Sequence, residues 1–325
     1  MPSIDGLLLL GFGGPTPGCC GRRATCPLPA GRAAAGCEAE CFVAGILGDN
    51  PARMGRIGEV VHHYQETGGG FSPYNDLTRI QARALAAELA RRGAPMPVEL
   101  GLRHWRPWTR DGLDALRAAG SRQVGLLIMA PHQSSVSWDW YLKHAAEAAE
   151  ALGATSPDLA AVVPPWWTMP GFITAGADRL REVTADWSAE RLAAAELIFT
   201  AHAIPQPVET TSPYRQQFAE SAKLIAEALG HPRHRIAFQS QPSDSRVPWS
   251  APTIEAEVAA AHAAGATDVL IQACGFLVDH TEVLYDLDVE VRGQCATLGI
   301  GYTRARCVHD HPAFINGLAD AVMAL

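Results

Sequence analysis

The chain has almost no lysine. Of its 325 residues only Lys143 and Lys223 are lysines, and the remaining basic residues are arginines. That bias reads as genome composition rather than as a phosphate-binding device. Acidic residues outnumber basic ones, 34 to 26, for a formal net charge of −8. Such a balance gives no general footprint for DNA or RNA, so nucleic acid is not expected as a partner. Long apolar runs are missing as well. No stretch approaches the ~18 apolar residues of a membrane span. The opening run, Leu7 to Leu10, is too short for a signal peptide and lacks a basic n-region. A cytoplasmic location is therefore expected. With 48% hydrophobic residues the chain is too apolar for disorder and too long for a disulfide-stapled miniprotein. The length allows one large domain or two ordinary ones.

Cysteine is present but oddly placed. Five of eight (Cys19, Cys20, Cys26, Cys37 and Cys41) fall within 23 residues, and Cys274, Cys295 and Cys307 lie far away. Without a secretory signal, a disulfide framework is not expected. A metal or cluster site, or an accident of composition, remains.

Continuous apolar runs at 6–10, 98–102, 124–129, 159–163, 197–200 and 269–273 read as buried parallel strands covered on both faces. Alanine-rich helical segments separate them, at 77–92, 109–119, 138–152, 170–183, 213–229, 251–264 and 312–325. The alternation implies an α/β, doubly wound architecture. Two internal echoes point to a repeated unit. The strand at Val124 leads from Pro131 to Tyr141, and the strand at Val269 leads from Gly275 to Tyr285, ten steps each. Gly11-Phe12-Gly-Gly-Pro15 is echoed by Ala201-His202-Ala-Ile-Pro205. The expected fold is two Rossmann-like lobes, each a parallel sheet flanked by helices. Residues 1–164 form the first lobe and 165–311 the second, with 312–325 packing back on the first. Ligands in such folds bind where strand C-termini face a shared cleft.

Residues 15–48 break this pattern. The part from Pro15 to Gly36 is rich in Gly, Pro, Ala, Arg and Cys, and supplies little core.

Two segments carry chemistry. In Phe199-Thr-Ala-His-Ala-Ile-Pro205, His202 lies just past a buried strand, where a near-neutral pKa suits proton transfer. A core histidine bonded to a carbonyl is the bland alternative. In Gly275-Phe-Leu-Val-Asp-His-Thr-Glu-Val-Leu-Tyr-Asp-Leu-Asp-Val-Glu290, the acids Glu282, Asp286 and Glu290 recur four residues apart. On a helix they share one face. Mutual repulsion raises carboxyl pKa values and favours proton sharing, and such a row can also hold a divalent ion. A solvated helix face is the bland reading here. Asp279 stands where a helix cap is expected.

These two segments resemble the ferrochelatase signatures Ser-Ala-His-(Gly/Ser)-Leu-Pro and Asp-His-x-Glu-(Thr/Val)-Leu-Tyr-(Asp/Glu)-x-Asp. Gly69-Gly-Phe-Ser-Pro-Tyr-Asn75, Leu102-Arg-His-Trp-Arg-Pro107 and Ala130-Pro-His-Gln-Ser-Ser135 are similar to further segments of that family. Residues 221–226, 238–240 and 244–252 also align in order. The resemblance spans the first strand and most of the chain from about residue 42 onward.

The resemblance implies a chelatase-type fold and insertion of Fe²⁺ into protoporphyrin IX or coproporphyrin III, a late step of heme synthesis. Fe²⁺ is then a substrate, and no organic cofactor is expected. His202 and Glu282 become the catalytic pair, and His202, Glu282, Asp286 and Glu290 handle the metal and the protons. Phe12, Ser72, Gln81, Arg103 and Ser135 match positions around the porphyrin. His132 is read as either cleft-lining or structural. Peripheral contact with a membrane or another heme-pathway enzyme is a further implication, and oligomeric state stays open.

Three features depart from the family. Phe12 stands where relatives carry Tyr or Met, and it has no hydroxyl to offer a metal or pyrrole. Thr200 and Ala203 replace Ser and Gly/Ser. The Cys-rich segment replaces a helical lip. For that segment a [2Fe–2S] cluster, a zinc site and a coding irregularity stay open, the last being favoured. A cobalt or sirohydrochlorin chelatase and a non-catalytic porphyrin- or heme-binding protein are the rival functions.

Overall fold

The computed structural model describes residues 4–18, 37–47, 55–231, 233–242 and 245–325. Among the described residues, eight parallel strands form two four-stranded sheets. They are β1 (Gly6–Gly11), β2 (Val98–Leu102), β3 (Gln123–Ile128), β4 (Asp158–Val162), β5 (Glu196–His202), β6 (Arg235–Gln239), β7 (Asp268–Gln272) and β8 (Gly301–Ala305). The sheet orders are β2-β1-β3-β4 and β6-β5-β7-β8, the same winding twice. The two sequence echoes therefore pair β1 with β5 and β3 with β7.

The helices are α1 (Cys37–Leu47), α2 (Gly55–Gly68), α3 (Tyr74–Arg91), α4 (Thr109–Ala118), α5 (Trp138–Leu152), α6 (Pro170–Val183), α7 (Ala189–Ala194), α8 (Gln206–Thr210), α9 (Tyr214–Leu229), α10 (Ile254–Ala263), α11 (Thr281–Tyr285), α12 (Arg292–Leu298) and α13 (Pro312–Met323). A π-helical stretch, Asp286–Val291, joins α11 to α12 without a break.

The central strands β1, β3, β5 and β7 are mostly apolar because both of their faces are covered. In β1, Leu7 and Leu9 enter a core shared with Phe199, Leu270 and Phe314, whereas Leu8 and Leu10 pack with Leu113, Ile128 and Trp138. On the outer side of the second sheet, Ile198 and Ile271 pack with Val258, Leu287 and Val291. The strands β6 and β8 do not show as apolar runs. They are sheet edges, and their half-buried positions carry Arg235, Tyr302, Thr303 and Arg304. Helix α13 lies on both α6 and α3. Its Phe314 meets the rings of Trp166 and Phe172 at 5.6 and 6.1 Å, and its Asp320 pairs with Arg92.

Two helices lie where the sequence shows no regular element. α1 buries Ala39, Phe42 and Val43, and α2 contributes Ile57, Val60, Val61 and Tyr64 to the same cluster. Both sets follow helical spacing. The surrounding Gly, Pro and Cys residues obscured that signal.

Candidate active site

The site is built at the C-terminal ends of β5 and β7. After β7 the chain turns at Gly275, whose N–H donates to the Thr200 carbonyl at 3.0 Å. A Cβ on Gly275 would stand 2.5 Å from the Ala201 Cβ and 2.6 Å from its Cα, so only glycine fits. This close crossing draws the loop after β7 over the end of β5. It brings Glu282 Oε2 to 3.6 Å from His202 Nε2, with both side chains about one-third exposed.

The His202 ring is held by the backbone of the next residue. Nδ1 lies against the Ala203 carbonyl. That acceptor assigns the proton to Nδ1 and leaves the Nε2 lone pair facing Glu282. The Tyr214 hydroxyl donates to the His202 carbonyl at 2.9 Å. Helix α11 is capped by His280, whose Nδ1 accepts the Glu282 N–H at 3.2 Å. Burial, opposed by the charge of Glu282, lowers the His280 pKa and keeps the cap a neutral acceptor. Asp279, expected as the cap, turns instead to Arg304 and His309.

Beyond Glu282 the helix widens into its π turn. Four residues overshoot one 3.6-residue α turn, and the wider π turn takes up the excess. Glu282, Asp286 and Glu290 thus stay close enough for Glu282 and Glu290 to raise the Asp286 pKa. Asp286 is buried, and Gln239 Nε2 donates to its Oδ2 at 3.2 Å. The Ser240 hydroxyl donates to the same oxygen. Ser240 adopts φ 63°, the left-handed region that non-glycine residues seldom enter. The Thr200 hydroxyl, 2.8 Å from Gln239 Oε1, orients that amide toward Asp286. Burial pushes the Asp286 pKa up to about 8, the neighbouring acids add to this, and the two hydrogen bonds offset it only partly. A carboxyl that titrates near neutrality is suited to pass protons. Glu290 is exposed at the outer end. Its pKa is raised by partial burial and by the charges of Glu255, Glu59 and Glu66.

Helix α2 covers this acidic row. His63 stacks on Tyr285 with centroids 3.7 Å apart and planes 10° from parallel. Burial lowers the His63 pKa against the charge of Glu59. Burial raises the Tyr64 pKa, and Glu282 and Asp286 add to the effect.

On the first-lobe side, Phe12 packs on His104 at 4.5 Å and on Phe42 at 6.2 Å, and its N–H donates to the Tyr74 hydroxyl at 2.9 Å. A chain of rings links this strand end to the other: Tyr74 to His280 at 6.0 Å, His280 to Phe276 at 4.8 Å, and Phe276 to His202 at 6.4 Å. Ser72 is buried, with its N–H on the Pro15 carbonyl at 2.9 Å. Arg103 Nη1 donates to the Val136 carbonyl at 3.1 Å, and its guanidinium lies 4.9 Å from the Trp140 ring. Ser135 is exposed beside Val136, on the same rim.

Gln81 goes elsewhere. It is buried, and its amide donates to the carbonyls of His309 and Leu277 at 2.8 and 3.4 Å. Those bonds join α3 of the first lobe to loops of the second, so its N–H groups are already engaged. His132 is buried. Its Nε2 sits 3.0 Å from the Ser221 hydroxyl, which itself donates to the Trp167 carbonyl at 2.7 Å. Burial drops the His132 pKa to about 3, which keeps the ring neutral. Cys37 and Cys41 stand one turn apart in α1, and Cys19, Cys20 and Cys26 lie outside the described residues. Among the described residues no group of three or more His, Cys, Asp or Glu side chains forms a metal-holding cluster.

The profile described as Ferrochelatase matches residues 5–325. The chain belongs to the ferrochelatase family. The reaction of this family is the insertion of Fe²⁺ into a porphyrin in heme biosynthesis, and it is the reaction of this chain. A coproporphyrin III ferrochelatase of Mycolicibacterium vanbaalenii is 31% identical over 323 residues, covering 98% of this chain and 89% of the relative. That of Propionibacterium freudenreichii is 32% identical over 334 residues, covering 100% and 88%. A Deinococcus radiodurans protein named ferrochelatase is 29% identical over 86% of this chain. Among solved structures, the SirB protein of Bacillus subtilis with Fe³⁺ matches with a TM-score of 0.57 at 12% identity, over 98% of this chain and 94% of that one. This likeness shows the chelatase fold, in which two parallel sheets are flanked by helices. No helix among the described residues is long and apolar enough to cross a membrane.

Proposed function

We propose that this ferrochelatase acts on coproporphyrin III, with His202 and Glu282 as its catalytic pair. The observation that carries the pair is the 3.6 Å approach of His202 Nε2 to Glu282 Oε2 at the strand ends. Insertion must remove both inner N–H protons of the macrocycle and strip water from the incoming ion. The Nε2 lone pair of His202 takes the two pyrrole protons one at a time, and Glu282 stabilises the imidazolium and takes each proton in turn. Asp286 receives it next, and Glu290 passes it to solvent. The same oxygens draw Fe²⁺ inward against the proton flow.

Support for coproporphyrin comes from the names of the relatives. Coproporphyrin carries more propionates than protoporphyrin, and Arg103 and Ser135 are assigned to that rim, with Phe12 and Ser72 beneath the ring. Metallation rates with coproporphyrin III and protoporphyrin IX side by side test the choice. A preference for protoporphyrin would overturn it. A cytoplasmic location and the division into lobes 1–164 and 165–311, with 312–325 returning to the first, belong to the same proposal. Cell fractionation tests the first. Hydrogen exchange that changes at 164–170 when porphyrin binds tests the second.

A further inference from the structure

Behind the acidic row lies a set of charges that the reaction does not consume. Arg304, on the edge strand β8, is only 10% exposed along its side chain. Its Nη1 donates to Asp279 Oδ1 at 2.8 Å. Its Nε and Nη2 fork onto the Asp288 carboxylate at 2.9 and 2.6 Å. Asp279 precedes α11, and Asp288 sits inside the π stretch. Glu282 and Asp286 lie between them in the chain.

Each acid is held from further sides as well. Asp279 Oδ2 pairs with His309 Nε2 at 2.9 Å, and the Cys307 N–H reaches Oδ1 at 3.1 Å. The carbonyl of His309 accepts the amide of Gln81 from the first lobe. Asp288 also accepts the Tyr302 hydroxyl at 3.1 Å and Arg292 Nη2 at 3.3 Å. Burial alone would raise the Asp279 carboxyl, but His309 and Arg304 hold it well below its ordinary value. Charge-assisted, forked bonds of this kind fix direction as well as distance.

We propose that Arg304 is a positioning residue for metal insertion, anchoring the segment that carries Glu282 and Asp286 at both of its ends. A π turn is rare and poorly favoured beside an α turn. Tethers at Asp279 and Asp288 leave the intervening residues one way to run. Without the second tether the stretch is free to rewind as an α-helix, which rotates Asp286 off Gln239 and Ser240 and shifts Glu282 from His202. A lysine, with a single ammonium, cannot hold both acids in the same fork.

The inference rests on the assignment of Glu282 above. The test measures Zn²⁺ insertion into coproporphyrin III by Asp288→Asn, Arg304→Met, Arg304→Lys and Glu282→Gln, each normalised to the sites that bind porphyrin. Asp288→Asn and Arg304→Met are expected to lose on the order of tenfold or more in kcat, since small misplacements carry such factors. Porphyrin KM stays within about twofold, because the remote contacts that bind the macrocycle are untouched. Arg304→Lys falls between these and the wild type. Arg304→Met takes the shared guanidinium from two acids and can fail to fold, whereas Asp288→Asn keeps the Asp279–Arg304 pair and decides the matter alone. Wild-type kcat in folded Asp288→Asn overturns the positioning role. Wild-type kcat in Glu282→Gln overturns the assignment of Glu282 instead, so the two failures are distinguishable.

Discussion

His202 Nε2 and Glu282 Oε2 stand 3.6 Å apart, although eighty residues of chain separate them. One closes a strand and the other opens a helix, and the Gly275 crossing makes the pair. The geometry puts a proton acceptor and a carboxylate on one point of the cleft. His202→Ala is therefore expected to lose metallation by ~10²-fold or more while keeping porphyrin affinity. Stopped-flow insertion of Zn²⁺ and fluorescence titration of metal-free porphyrin read the two effects separately. Full insertion activity in His202→Ala would refute the role.

Asp286 links activity to pH and to stability. Burial in the folded state pushes its pKa up from the ordinary 3.8 to about 8. The unfolded state releases the proton first, so the buried carboxylate opposes folding increasingly as pH rises between those values. Below 3.8 no penalty exists. Asp286→Asn keeps the Ser240 contact and removes the charge. It should be more stable than the wild type near pH 8, by at least ~1 kcal/mol, with a gap that narrows as pH falls. Metallation should drop at the same time. Urea titrations at two pH values check the sign, and a destabilised variant near pH 8 would contradict it.

Gln81 separates two roles that sequence alone confuses. If it bolts the lobes together, Gln81→Leu takes its donor from the half-buried His309 carbonyl, leaves the Leu277 carbonyl only the His309 N–H, and costs about 1–3 kcal/mol of stability. Porphyrin KM then changes little. A large rise in KM at unchanged thermal stability would return Gln81 to the propionate role.

Arg103 stands on the rim with its guanidinium against Trp140. Loss of one charge-assisted contact to a propionate is worth ~1.5–3 kcal/mol, or roughly tenfold or more in affinity. Arg103→Met should raise porphyrin KM by that factor and lower kcat far less. Equal affinities for the variant and the wild type would remove Arg103 from the substrate site.

Local sequence carried the parallel strands, because a strand buried on both faces must be apolar at every position. It also carried the repeat: β1 and β5 hold equivalent places in their two sheets, as do β3 and β7. The edge strands β6 and β8 and the helices α1 and α2 were less legible. Half-exposed edges tolerate charge, and the Gly-, Pro- and Cys-rich surroundings masked a helical period. His202 and the acidic row were visible as residue types on the right elements. Their distances, and the covering of the row by His63 and Tyr64, were not.

The amino-acid order by itself determined the α/β alternation, the doubled lobe and the ferrochelatase signatures, since these depend on local periodicity and short-range spacing. Only the tertiary structure decided that Asp279 ties to Arg304 while His280 caps the helix. Only it decided that Gln81 spans the lobes, and that Asp286 is buried deeply enough to hold its proton near neutral pH. Each of those outcomes depends on which distant groups exclude water from a carboxyl or meet its charge. That is a property of packing between segments far apart in the chain, which no single stretch of sequence contains.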